Sequence, residues 1–150
     1  MSLKTYVGFV ADFPSDRGDD DSPAGKKLAD FVASQLKNAG IDVRGPEERD
    51  GWAWELTSQI DSTAIDTIVG LVDDMNTIPP RQWLITNDSN LTVWQRLFGT
   101  HSFREQCEKA MRRYCETLHR SLAPDPRFSH LLWYNKATFD KPGDEPGDSP

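Results

Sequence analysis

The sequence predicts an α+β domain, with a mostly antiparallel sheet of four to five strands and helices packed on one face. Three observations carry this prediction. Residues 52–60 alternate apolar and polar, residues 64–72 run apolar, and only a short polar turn separates them, as in an antiparallel hairpin. Two segments, one opening at Pro23 and one at Ser102, repeat apolar residues at helical spacing. The elements follow in the order β-α-β-β-β-α-α, and a last apolar stretch is suited to one more strand.

In chain order, Leu3 to Val10 is a near-continuous apolar, β-prone run, the pattern of a central buried strand. Phe13-Pro14 ends it, and Ser15 to Asp21 is a polar, acidic loop. Ser22 suits an N-cap and Pro23 the first helical position; Leu28, Phe31, Val32, Leu36 and Ala39 then share one face. Gly40 supplies the stop of this helix at 23–39, and Ile41 and Val43 pack back on the core or begin a short strand.

After Gly45-Pro46 and an acidic loop, Trp52, Trp54, Leu56 and Ile60 fall on one side of a strand. A turn at Asp61 to Thr63 leads into the strand from Ala64 to Val72, and Gln82 to Thr86 is a third β segment. Leu91, Trp94 and Leu97 outline a short helix that Gly99 breaks. From Ser102 a long helix places Phe103, Cys107, Ala110, Met111, Tyr114, Leu118 and Leu122 on one stripe, and Pro124 and Pro126 end it. Phe128 to Tyr134 suits a final strand. The expected domain covers residues 1–136, and 137–150 is read as a disordered acidic Pro/Gly tail, too poor in apolar groups to offset the entropy of ordering.

The composition, 37% hydrophobic and 27% charged, is that of a globular protein able to bury a core without disulfide or metal staples. A net charge of -7 argues against a uniformly basic nucleic-acid binder. Acidic residues concentrate at Asp12 to Asp21 and in the last residues, whereas Arg104, Lys109, Arg112, Arg113 and Arg120 enrich the long helix. No apolar run has the length of a membrane span and no signal-peptide core is seen, so the expected location is the cytoplasm. Cys107 and Cys115, eight residues apart on a helix, stand about 12 Å from each other, too far for a disulfide, and read as reduced buried thiols.

Few features carry chemistry. The carboxylates of Asp12–Asp21 are of the hard oxygen type that binds Mg²⁺ or Ca²⁺, but their spacing does not match a calcium loop, and Asp20 and Asp21 also suit a helix N-terminus. No metal ligand is therefore assigned, and Asp16, Asp19 and Asp20 are read as binding residues with Glu47, Glu48, Trp52 and Trp54. Cys115 and His119 stand four apart on one helix face, the spacing of a thiolate–imidazole pair or half a zinc site, against a half-buried thiol beside a surface histidine. No nucleophile elbow, phosphate loop or dinucleotide fingerprint is present, and no cofactor is implied. Trp52 and Trp54, at i and i+2, share a strand face; buried they are core, and exposed beside Glu47, Glu48 and Asp50 they form an aromatic patch with an acidic rim, which suits an interface more than a catalytic pocket.

Asp12-Phe13-Pro14, Gly25-x-x-Leu28-Ala29-x-Phe31, Gly51-Trp52-x-Trp54 and Leu97-Phe98-Gly99 together resemble a group of small bacterial α+β proteins to which no reaction is assigned, with the likeness covering most of residues 3–134. By size and charge the chain is also similar to immunity proteins that block a cognate toxin. The expected function is therefore a small acidic protein-binding module, of an immunity or inhibitory type, that occupies a protein partner through acidic and aromatic surface. The alternative is a metal-binding protein or enzyme centred on Asp12–Asp21.

Overall fold

Six strands and two long helices make up the described parts of the chain. The computed structural model describes residues 3–14, 23–72, 81–90, 97–139, 141–142 and 144–150. The strands are β1 (Tyr6–Ala11), β2 (Asp42–Arg49), β3 (Ala53–Ile60), β4 (Thr63–Leu71), β5 (Arg81–Ser89) and β6 (Phe128–Tyr134). They form one sheet in the order β2-β3-β4-β5-β1-β6 with every neighbouring pair antiparallel. The helices are α1 (Lys26–Asn38) and α2 (His101–Leu122). The α+β class and the antiparallel sheet agree with the sequence reading, but the sheet has six strands where four to five were expected.

The added strand is β2, which the reading had ended at Gly45-Pro46. The chain passes that dipeptide through a bulge, with the register shifting between Arg44 and Glu47, and then pairs on with β3. Proline, without an N–H, is tolerated because β2 is an edge strand. Gly45 has φ +102, and a Cβ there would stand 2.7 Å from the Glu55 carbonyl oxygen, so only glycine lets the bulge lie against β3.

Helix α1 begins later than its sequence suggests. Gly25, at φ 102, is the N-cap and no side chain caps the helix, so Pro23 is not its first residue. Pro23 instead turns its carbonyl to the buried Trp54, whose Nε1 donates to it at 2.9 Å. The left-handed turn at Gly25 is also a steric necessity, since a Cβ there would lie 2.7 Å from the Trp83 ring. The helix end is as expected: Gly40 has φ +86, its N–H reaches Lys37 O and that of Ile41 reaches Leu36 O, closing the last carbonyls. Helix α2 starts at the Thr100 cap, whose hydroxyl accepts from Phe103 N at 3.1 Å. The expected short helix around Trp94 falls largely on residues 91–96, outside the described residues.

Both helices cover the same face of the sheet. Leu28, Val32 and Leu36 of α1 and Met111, Leu118 and Leu122 of α2 pack with Val7, Leu56, Ile65, Val69, Ile85 and Trp133 in one core. At one end of the sheet Phe9, Phe13, Phe31 and Phe128 meet ring to ring, and the Arg127 guanidinium lies 4.7 Å from the Phe13 ring and 4.6 Å from that of Phe31. Asp125 aims that guanidinium through two hydrogen bonds of 3.1 and 2.8 Å. Beyond β6, the N–H groups of Thr138, Lys141 and Asp144 bond to the carbonyls of Asn135, Thr138 and Lys141, and Gly147 forms an antiparallel bridge with Trp133 through bonds of 2.8 and 2.9 Å. The described part of the segment that composition assigns to a tail makes these few contacts along the β6 edge.

A chain of neutral polar groups crosses the core. Asn87 Nδ2 donates to the Thr5 carbonyl at 2.8 Å, and Asn87 Oδ1 accepts from Thr67 Oγ1 at 2.8 Å. With its one proton so committed, the Thr67 hydroxyl accepts from Tyr114 OH at 2.5 Å, and Tyr114 OH accepts from Ser58 Oγ at 3.4 Å. Ser58, Thr67, Asn87 and Tyr114 are all buried. The chain therefore ties α2 to β3, β4 and β5 and fixes the helix in rotation as well as position.

Burial pushes the Tyr114 phenol up from 10.0 to about 12. Because the folded state holds this proton more tightly, the contribution of Tyr114 to stability is complete below pH 10 and is lost as pH rises from about 10 to 12. Urea melts across this range should show the loss. In Tyr114→Phe the part of it due to this phenol should vanish, while stability at neutral pH falls by about 1–3 kcal/mol because Ser58 and Thr67 lose their partner. Unchanged neutral stability in Tyr114→Phe would contradict the role given to this hydroxyl.

Candidate functional site: the open sheet face and its acidic corner

The face of the sheet away from the helices carries its residues in rows set by strand register. One row runs Ala53, Gly70, Leu84, Gly8, Leu132 across five strands. The next runs Glu55, Ile68, Thr86, Tyr6, Tyr134. Small residues in the first row and large ones beside it leave a trough of about 500 Å³ over β5, β1 and β6, floored by Gly8 and walled by Val10, Val72, Leu84, Leu132, Tyr134 and Phe139. Phe139, from the segment after β6, stands edge-on to Tyr6 and Tyr134 with centroids 5.5 and 5.2 Å away. Trp52, Val72 and Leu132 remain exposed on this face. Sequence reasoning missed this trough; the one signal for it was a glycine in the middle of an apolar central strand.

Trp52 and Trp54 do not share a face. The alternation that put them together assumes an unbroken strand, but β3 begins at Ala53, and residues 50–52 form a turn with Asp50 at φ 49 and Trp52 N–H bonded to Arg49 O. Trp54 is 8% exposed, in the core, with its indole held by Pro23 and the Lys26 ammonium 5.9 Å from its ring centre. Trp52 is 57% exposed and lies over Gly70 on the open face, where a Cβ at Gly70 would come within 3.3 Å of the Trp52 ring. Glycine at 70 thus seats the indole flat on the sheet.

The corner around Trp52 is acidic. Glu47, Glu48 and Asp50 are exposed and make no ion pair among the described residues. The nearest guanidinium in sequence, that of Arg49, is committed to Glu55 at 2.5 Å. Farther along the open face Lys136 holds Asp88 at 2.6 Å, and Tyr6 OH donates to the same carboxylate at 3.4 Å. Asp66 stands directly across from Asp88, and burial, reinforced by the charges of Glu55 and Asp88, pushes its carboxyl above the usual range. Negative charge thus stands at two places on the open face, at Glu47 and Asp50 near the exposed indole and at the Asp66–Asp88 pair.

The remaining sequence candidates fare differently. Asp16, Asp19 and Asp20 lie outside the described residues, and Asp12 is exposed at the end of β1. Among the described residues no group of three His, Cys, Asp or Glu side chains is placed to hold a metal ion. Cys115 and His119 do not form a pair. Cys115 is wholly buried, and burial pushes its thiol up from 9.0 to about 12, the opposite of an activated thiolate. His119 turns to β6 instead, where its Nδ1 accepts from the Trp133 indole at 3.0 Å. Cys107 is also buried and meets Thr63 Oγ1 at 3.6 Å.

No helix among the described residues is long and apolar enough to cross a membrane. No protein-family model, curated protein or solved structure matches the chain.

An aromatic thiol-exchange reagent at about pH 8 should leave Cys115 unmodified in the native protein and label it rapidly once the chain is unfolded. Rapid native labelling, mapped by mass spectrometry, would contradict its placement in the core.

Proposed function

We propose that the protein is a binding module that occupies a protein partner through the open face of its sheet, with Trp52 as the anchor and Glu47 and Asp50 as an acidic rim, while Glu48, paired with Trp54, stands on the other side of β2. The observation that carries this reading is the exposed Trp52 indole over Gly70, near Glu47 and Asp50, which make no ion pair among the described residues. A rigid aromatic group of this kind loses little conformational freedom on docking, and tryptophan is enriched among the residues that dominate binding energy. The rim selects a partner whose apolar cleft is bordered by arginine or lysine, and it steers the approach.

Binding across the face is supported by the state of the sheet edges. β2 is interrupted by its bulge and rich in charge, and β6 carries a register shift against β1 and the Gly147 bridge on its outer side. Such features discourage strand addition. The binding is inhibitory in form, of the immunity type that blocks a partner's working surface, a reading supported by size, acidity and the absence of recognised catalytic motifs from the sequence. We place the partner in the cytoplasm, where free, buried Cys107 and Cys115 stay reduced.

Photo-crosslinking from a probe at Val72, followed by identification of the captured protein, tests the reading when run in parallel on three proteins. A partner held by the wild-type chain should be lost in Trp52→Ala and weakened, most at low salt, in the double variant Glu47→Gln/Asp50→Asn. Both variants should melt within a few degrees of wild type, because these groups are exposed. A partner retained equally by all three would overturn the proposal.

A further inference from the structure

Gly8 lies where the β1–β6 register shifts, between Gly8 and Val10, but neither its φ nor its contacts require glycine. It sits inside β1 between β5 and β6, and its φ is outside the left-handed region that would call for glycine. A Cβ at Gly8 would meet Tyr134 Cε2 at 3.5 Å and the Trp83 carbonyl oxygen at 3.9 Å, both ordinary contacts. Gly25 and Gly45, by contrast, are required by sterics at 2.7 Å and by positive φ. Glycine inside a strand weakens it and marks a place where another group approaches the backbone closely. What its missing side chain does here is keep the floor of the open-face trough clear.

We infer that this trough is a socket for one aromatic side chain of a basic protein segment. This rests on the protein-binding reading above and names what that face receives. The apolar walls and the Tyr134 and Phe139 rings offer edge and face contacts to an incoming ring. Among the described residues no charged side chain lines the trough, so a charged occupant would lose its water without gaining a counterion from them, which favours a neutral side chain. Gln82 and His130 line the trough too and bring polar atoms to it, which favours a ring with a polar edge, phenol or indole, over phenyl.

Charge supplies the other half of the recognition. The trough floor lies on β1 and the unpaired carboxylates lie on or just after β2, four strand spacings away in the sheet order. At about 4.8 Å per spacing this is roughly 19 Å, the reach of about six extended residues. The Gly8 row ends on Arg49, whose charge Glu55 holds, so a segment crossing the strands would place its aromatic residue over Gly8 and its arginines or lysines, about six residues away, against Glu47 in the neighbouring row and Asp50 in the turn. On the way it passes Leu84 and Trp52, which lie on the same side of the sheet.

The test uses the full chain and synthetic peptides, read by amide and side-chain chemical shifts and by calorimetry. The probe carries one tyrosine, a five-residue Gly/Ser spacer and two arginines. Controls replace the tyrosine by alanine, the arginines by glutamate, or move the arginines next to the tyrosine. The expected result is that the probe shifts Leu84, Leu132 and Tyr134 and binds at least tenfold more tightly than each control. Gly8→Val should weaken the probe tenfold or more, while Gly8→Ala should leave the melting temperature equal or higher.

A lower melting temperature in Gly8→Ala would show that the glycine serves the β1–β6 bulge, and would overturn the inference. So would equal binding of the probe to wild type and Gly8→Val. If the alanine control binds as well as the probe, and both are lost in Glu47→Gln/Asp50→Asn, the socket falls while the acidic-corner reading stands. No shift from any peptide also sinks the socket, and the crosslinking from Val72 then decides the broader reading by itself.

Discussion

Two helices covering one face of a six-stranded sheet set the terms for everything else in this molecule. Residues pointing toward α1 and α2 are apolar or hydrogen-bonded like Ser58, Thr67 and Asn87, with the buried Trp83 indole N–H the exception among the described residues. Residues pointing the other way face water, and a sheet tolerates that when they are polar. On β3 they are: Glu55, Thr57 and Gln59 alternate with buried Trp54, Leu56, Ser58 and Ile60. On β5, β1 and β6 the rule is broken by Leu84, Val10 and Leu132, and the apolar trough is the consequence. The asymmetry is thus written twice, once between the faces and once between the two halves of the open face.

That asymmetry was legible in part from the sequence. Helical spacing found α1 and α2, and alternation found β3, because each pattern depends only on which side of the element is buried. The missing strand was β2, whose Gly45-Pro46 reads as a stop in any local analysis; that it is a bulge depends on Glu55 lying across from it. The N-terminal boundary of α1 failed for a similar reason. Ser22-Pro23 is a good local start, yet Trp54 and Trp83, far along the chain, determine where the helix begins. Local rules hold until a tertiary contact competes, and both errors occur where one does.

The candidate site divides the same way. Glu47, Glu48 and Trp52 are each exposed, but the register sets Glu48 on the helix side of β2, across from Trp54, and Glu47 on the open face. Trp54 could not be separated from Trp52, because the turn at Asp50 and Gly51 shifts the phase by a residue that alternation does not count. The trough needed the strand order, since Gly8, Gly70 and Leu84 meet only through pairings among β1, β4 and β5. Cys115 and His119 illustrate the converse: spacing places them on neighbouring positions of α2, but the core takes the thiol and Trp133 takes the imidazole.

The central claim is that one face of the sheet is closed by helices and the other presents Trp52 and the apolar trough to solvent. Hydroxyl-radical footprinting read residue by residue tests it most directly. The account predicts fast oxidation of Trp52, Val72 and Leu132, with Trp54, Trp83, Tyr114 and Trp133 protected in the native state and modified only on unfolding. Trp52 and Leu132 protected to the same degree as Trp133 would contradict it.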